Sequence, residues 1–155
     1  MKKVKQIKQK DFDISDIEIN EDFKLALKKI DGEDRNLYVT GKAGTGKSTF
    51  LQYYKEITKK NIVVLAPTGI AAINVGGQTI HSFFRFPPKL IDPESLRPIR
   101  GRELYQNLDL LIIDEISMVR ADLLDGINRF LQLKTMIFQQ KTRLCGIRTI
   151  VTTLL

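Results

Sequence analysis

The stretch Leu37-Tyr38-Val39-Thr40-Gly41-Lys42-Ala43-Gly44-Thr45-Gly46-Lys47-Ser48-Thr49 constrains this chain more than any other. It satisfies the phosphate-loop pattern G-x-x-x-x-G-K-[ST] at every fixed position. Its surroundings suit the motif: Leu37 to Val39 reads as a short buried strand, and Ser48 onward reads as a helix. Gly41, Gly44 and Gly46 allow the backbone to curl and turn successive N–H groups inward, a nest for phosphate oxygens. The helix that follows points its positive end at the same anion. Gly41, Ala43, Gly44, Thr45, Gly46, Lys47, Ser48 and Thr49 are therefore the nucleotide-binding set. Lys47 reaches toward the β- and γ-phosphates, and the Ser48 hydroxyl is a ligand for Mg²⁺.

Downstream, Phe50, Leu51, Tyr54 and Ile57 give this helix an apolar stripe that should face a sheet. Ile62 to Ala66 is a continuous apolar, β-branched run, as in a strand covered on both faces. Strand, loop, helix and strand make a βαβ unit and hence a parallel sheet. Leu108 to Ile113 reads as a third buried strand, ending in Asp114-Glu115. An acid at a strand tip is the second half of a nucleotide site. Asp114 is expected to hold Mg²⁺ opposite Ser48, and Glu115 to polarise the attacking water. Lys47, Asp114 and Glu115 are thus the candidate catalytic residues, and ATP with Mg²⁺ the expected cofactors. Upstream, Asn20 reads as a helix cap followed by Glu21 and Asp22. Phe23, Leu27 and Ile30 share one face before Asp31-Gly32. This segment packs beside the nucleotide base or serves as plain scaffold. Ala121 to Leu133 reads as a helix with Leu124, Ile127, Phe130 and Leu131 facing inward.

Ligands of open parallel sheets gather at the carboxyl ends of strands. Thr68 and Gly69 stand at such an end and are placed to meet a second ligand, with groups suited to a phosphate backbone. Thr79 to Phe84 adds His81, Phe83 and Phe84, with Arg85 beside them. Those rings suit either base stacking or core packing. The excess of seven positive charges does not by itself identify a nucleic-acid binder. Residues 1–10 and 134–155 carry all of it, leaving residues 11–133 at −2. The single cysteine, Cys145, excludes an internal disulfide, and no apolar run is long enough to span a membrane. These features suggest a soluble, cytoplasmic chain.

Four blocks in order resemble the Pif/RecD branch of superfamily 1 DNA helicases. They are Gly41 to Ser48, Ala66 to Ala72, Thr79 to Phe83, and Ile113 to Met118. The resemblance implies an α/β fold, a RecA-like P-loop NTPase domain with helices flanking a parallel sheet, that drives 5′-to-3′ movement on single-stranded DNA. It also implies that Thr68, Gly69, His81 and Phe83 face that DNA, and that Lys47, Ser48, Asp114 and Glu115 serve ATP and Mg²⁺. The domain is expected to span residues 20–133, after a basic flexible segment at 1–19. Beyond Leu133 the family's Gly-Asp-x-x-Gln-Leu block is absent, as is a second RecA-like domain. Residues 134–155, rich in basic residues, read as an atypical tail from a truncated or frameshifted frame, with Thr149 to Leu155 able to add an edge strand. A non-catalytic nucleotide-binding remnant and another phosphate-loop ATPase are the alternative readings. The Thr79–Phe83 block argues against the latter.

Overall fold

The computed structural model describes residues 17–32, 36–92, 96, 105, 107–138 and 148–152, with backbone alone at 133–138 and 148–152. The basic first sixteen residues, the arginine-rich stretch 97–104 and Cys145 lie outside the described residues.

Helix α1 (Glu21–Asp31) begins where Asn20 Oδ1 accepts the Phe23 N–H at 2.9 Å, and it closes where the Gly32 N–H donates to Lys28 O. Its acids sit in the first turn and its lysines in the last, each matching the helix dipole. Strand β1 (Asn36–Val39) leads through the phosphate loop into α2 (Lys47–Ile57), which returns to β2 (Ile62–Ala66). Two short helices, α3 (Gly69–Asn74) and α4 (Ile80–Phe84), flank the two-residue strand β3 (Gln78–Thr79). Strand β4 (Leu110–Ile113) passes into a 3₁₀ turn (Ile116–Met118) and then α5 (Ala121–Phe138), before β5 (Arg148–Thr152).

The five strands form one all-parallel sheet in the order β1-β5-β4-β2-β3. Strands β1, β2 and β4 were legible in the sequence and the two others were not placed correctly; β1 is not buried as expected, since Leu37 and Val39 are half-buried and Tyr38 is exposed. Strand β5 lies inside the sheet, pairing β1 on one side and β4 on the other, rather than at an edge. Its run of Thr149, Ile150, Val151 and Thr152 suits an interior strand, and the gap between β1 and β4 needs one. The boundary expected at residue 133 falls inside α5.

Strand β4 carries the core on both faces. Leu111 and Ile113 join a cluster with Phe83, Phe84, Ile127 and Phe130, while Leu110 and Ile112 join Phe23, Phe50, Leu51 and Tyr54. That alternation is the two-residue period of a strand. Two helical faces differ from expectation. Ile57, the last residue of α2, is 44% exposed. In α5 the buried stripe is Leu123, Ile127 and Phe130, and Leu124 turns outward. The shift is set by Gly126, which lets Ile91 and Phe86 press against the helix.

Candidate nucleotide and DNA site

The phosphate loop has the backbone its glycines permit. Gly44 (φ 78°) and Gly46 (φ 84°) are left-handed, and Gly46 forms the entry to α2 with no side-chain cap. The N-terminus of α2 therefore has no side-chain cap, a backbone arrangement compatible with an anion nest. At Gly41 a Cβ would stand 2.7 Å from Thr45 Oγ1, so the loop closes tightly only around glycine. Thr45 Oγ1 donates to Lys42 O at 2.9 Å. The Lys47 ammonium donates to Gly41 O, to Lys42 O at 2.7 Å and to Thr45 Oγ1 at 3.4 Å. The lysine is therefore held over the loop by oxygen acceptors, which phosphate oxygens would replace. Ser48 is exposed, Thr49 half-buried and Ala43 exposed.

A cavity of about 460 Å³ opens beside this loop. Gly41, Thr45, Gly46 and Lys47 form one end, and Asn20, Phe23 and Phe50 the adjacent wall. The Phe23 ring meets Phe50 edge-on at 5.1 Å and lies 3.6 Å from the position a Gly46 Cβ would take. Helix α1 is thus built into the site, which its helical periodicity alone could not distinguish from scaffold.

The acidic pair follows β4. The Asp114 N–H donates to Leu65 O at 2.8 Å, extending the β2–β4 ladder one residue and fixing the carboxylate at the strand tip. Glu115 has φ 55° and ψ 45°, a left-handed conformation that costs a non-glycine residue about 1–2 kcal/mol. This turn starts the 3₁₀ segment, where the Met118 N–H donates to Glu115 O. Asp114 and the phosphate loop occupy the same carboxyl edge of the sheet, separated by β5. Two strand spacings, on the order of 10 Å, divide their parent strands. The sequence identified both acids but gave no sign of the left-handed backbone.

The segment after β2 is held by caps. Thr68 Oγ1 accepts the Ala71 N–H at 3.2 Å, so that hydroxyl is partly engaged, while Thr68 and Gly69 themselves are exposed. Helix α3 ends in a Schellman motif: Gly76 (φ 59°) donates to Ile73 O and Gly77 to Ala72 O. Lys55 of α2 also donates to Val75 O at 2.9 Å, and burial pulls its ammonium below the ordinary lysine value. Thr79 Oγ1 accepts the Ser82 N–H and so caps α4. His81 is half-exposed, but Phe83 is 1% exposed and does not face outward as the resemblance implied. Its ring packs against Phe84 at 4.9 Å and Tyr105 at 5.1 Å, and the Tyr105 hydroxyl donates to Phe83 O. The core reading of these aromatics is the correct one, because α4 turns its apolar side to β4 and α5. Exposed instead are Ile70 (76%) and Ile73 (68%), which no sequence argument singled out.

The connection leaving α4 is pinned to α5. Asp122 accepts the Ile91 N–H at 3.0 Å and a two-pronged contact from Arg120 Nε and Nη2 at 2.9 and 2.6 Å. The Arg120 guanidinium and the Ile91 amide hold its carboxyl well below the usual range, at about 2. Among the described residues no helix is long and apolar enough to cross a membrane, and no group of three or more His, Cys, Asp or Glu is arranged to hold a metal ion.

Comparison with known proteins identifies the family and the fold. The family model for PIF1-like helicases matches residues 18–153, well past the point where the resemblance was expected to end. The ATP-dependent DNA helicase PIF1 of Saccharomyces cerevisiae (strain YJM789) is 37% identical over 110 residues, which are 64% of this chain and 13% of that protein. The crystal structure of Bacteroides sp Pif1 in complex with ADP-AlF4 superposes with a TM-score of 0.76 at 40% identity, covering 90% of this chain and 33% of that one. The Bacteroides Pif1 helicase in complex with ADP-AlF3 and ssDNA gives a TM-score of 0.75 at 41% identity, over 90% of this chain and 33% of that one. The chain therefore spans about a third of these solved structures and a smaller part of the yeast protein. With four motif blocks, a RecA-like parallel sheet and a family match over nearly its whole length, the chain belongs to the PIF1-like helicases.

Proposed function

We propose that this chain is the ATP-binding part of an ATP-dependent 5′-to-3′ DNA helicase, of the kind that acts in replication, repair, recombination or telomere maintenance. The observation that carries the reading is the pairing of a left-handed glycine loop with an acidic strand tip on one edge of one sheet. The amides at the start of α2 and the Lys47 ammonium hold the β- and γ-phosphates. The donor set fits magnesium: an exposed serine hydroxyl at Ser48 and a carboxylate at Asp114 are hard oxygen ligands on neighbouring elements. When bound, the ion draws charge off the phosphates as a Lewis acid. Glu115 orients the attacking water. Phe23 and Asn20 meet the base. Exposed Thr68 and Gly69, with half-exposed His81, meet the single-stranded DNA backbone.

Produced by themselves, residues 1–155 should bind magnesium–ATP and turn it over slowly. An arginine supplied by a second domain or partner is worth about three to five powers of ten in phosphoryl transfer, and strand separation needs a second domain to move. The test is titration of a fluorescent ATP analogue with and without magnesium. Lys47→Ala should weaken binding at least tenfold, about 1.4 kcal/mol, and Asp114→Asn should abolish the magnesium dependence. Binding unchanged in both variants would sink the proposal. Fast ATP turnover stimulated by single-stranded DNA would overturn its second half.

A further inference from the structure

Helix α2 carries a second lysine, which the nucleotide site does not use. Lys55 stands just over two turns beyond Lys47, about 12 Å along the same axis. Its half-buried side chain crosses to α3, where the ammonium donates to Val75 O at 2.9 Å. Burial draws that ammonium below the ordinary lysine value, against the opposing pull of Glu56. A lysine serving only solubility would extend its charged end into water and escape this desolvation. Here the charge is held at a backbone carbonyl instead.

That carbonyl occupies a particular place in the fold. The Ala71, Ala72 and Ile73 carbonyls accept from Val75, Gly77 and Gly76, so local backbone closes α3, and Lys55 supplies the donor for Val75 O. The Val75 side chain is 5% exposed and packs in the cluster that holds Phe50, Leu51 and Tyr54 of α2. At its other end α3 starts from the exposed Thr68 and Gly69. Two stiff helices therefore meet at one cation-to-carbonyl contact. One runs from the phosphate loop and the other from the segment proposed to meet DNA. Lys47 is held by Gly41 O and Lys42 O, and phosphate oxygens that took over its ammonium would change the forces on the first turn of α2. A helix carries such a change along its length, and Lys55 is placed to pass it on.

We propose that Lys55 is a positioning residue that transmits nucleotide occupancy from the first turn of α2 to the C-terminal end of α3, and through α3 to Thr68 and Gly69. The inference rests on the nucleotide reading of the phosphate loop and adds the route by which that site acts on its neighbour. It is tested by residue-resolved amide hydrogen exchange with and without saturating magnesium AMP-PNP, in the wild type, Lys55→Met and Lys55→Arg. The reporters are the Gly76 and Gly77 amides, whose bonds to Ile73 O and Ala72 O close α3. In the wild type the analogue should slow both by at least about fivefold. Lys55→Met should bind the analogue within about twofold of wild type yet bring that ratio near one, and Lys55→Arg, which keeps a cationic donor, should restore most of it. Should circular dichroism show Lys55→Met unfolded, Lys55→Gln, too short to reach Val75 O, takes its place with the same expectation. A merely structural tie would speed exchange equally with and without the analogue, and that unchanged ratio overturns the proposal. So does a wild type that binds the analogue while exchange at both glycines stays the same. A wild type that binds no analogue refutes the nucleotide site itself, and the inference with it.

Discussion

Gly77 shows how a single residue type can be dictated by its surroundings. A Cβ there would fall 2.3 Å from Val64 O and 2.9 Å from Val64 C, both backbone atoms of β2 that cannot move aside. Gly77→Ala should therefore cost about 2–3 kcal/mol in urea unfolding. Gly69 has nothing within 4 Å of its Cβ position, so Gly69→Ala should leave stability unchanged or raise it by up to about 1 kcal/mol. Equal effects at the two positions would mean that the close approach to β2 is wrong. Asp122 makes a second prediction at this scale. Its folded pKa of about 2 lies below the ordinary 3.8, so its contribution is complete above the unfolded value and disappears as pH falls through the folded one. The stability difference between wild type and Asp122→Asn should then be constant above about pH 5 and shrink between pH 4 and 2. A difference that stays flat across that window would remove Asp122 as the pin for Ile91.

Among the elements, those with a local code were legible and those fixed by distant partners were not. The Asn20 cap, the apolar runs of β2 and β4, and the loop between β1 and α2 each state their structure within a few residues. The buried face of α5 does not, because Leu123 and Leu124 are equally apolar and the choice between them is made by Ile91 and Phe86 from another segment. The same holds for α4, where Phe83 is oriented by Tyr105, twenty-two positions later. The phosphate loop and acid pair were legible because their chemistry restricts residue type. Glu115's left-handed turn was invisible, since no glycine or asparagine marks it.

Across the whole molecule, the sheet joins its two functional strands only through β5. Strand β1 carries the phosphate loop, β4 carries the acids, and neither pairs with the other. Removing residues 148–155 should therefore leave two partial sheets and abolish both cooperative thermal unfolding and ATP-analogue binding, measured by circular dichroism and fluorescence titration. A shortened chain that still melts in one sharp transition and binds nucleotide would show that β1 and β4 can close on each other. Leu37 pairs with Ile150, 113 positions later in the sequence. Pairings so remote in sequence form slowly. On the ribosome, then, the glycine loop emerges long before the strand that will seat it beside its acids. The nascent chain must carry an incomplete sheet, and a need for chaperone shelter, until β5 has left the exit tunnel.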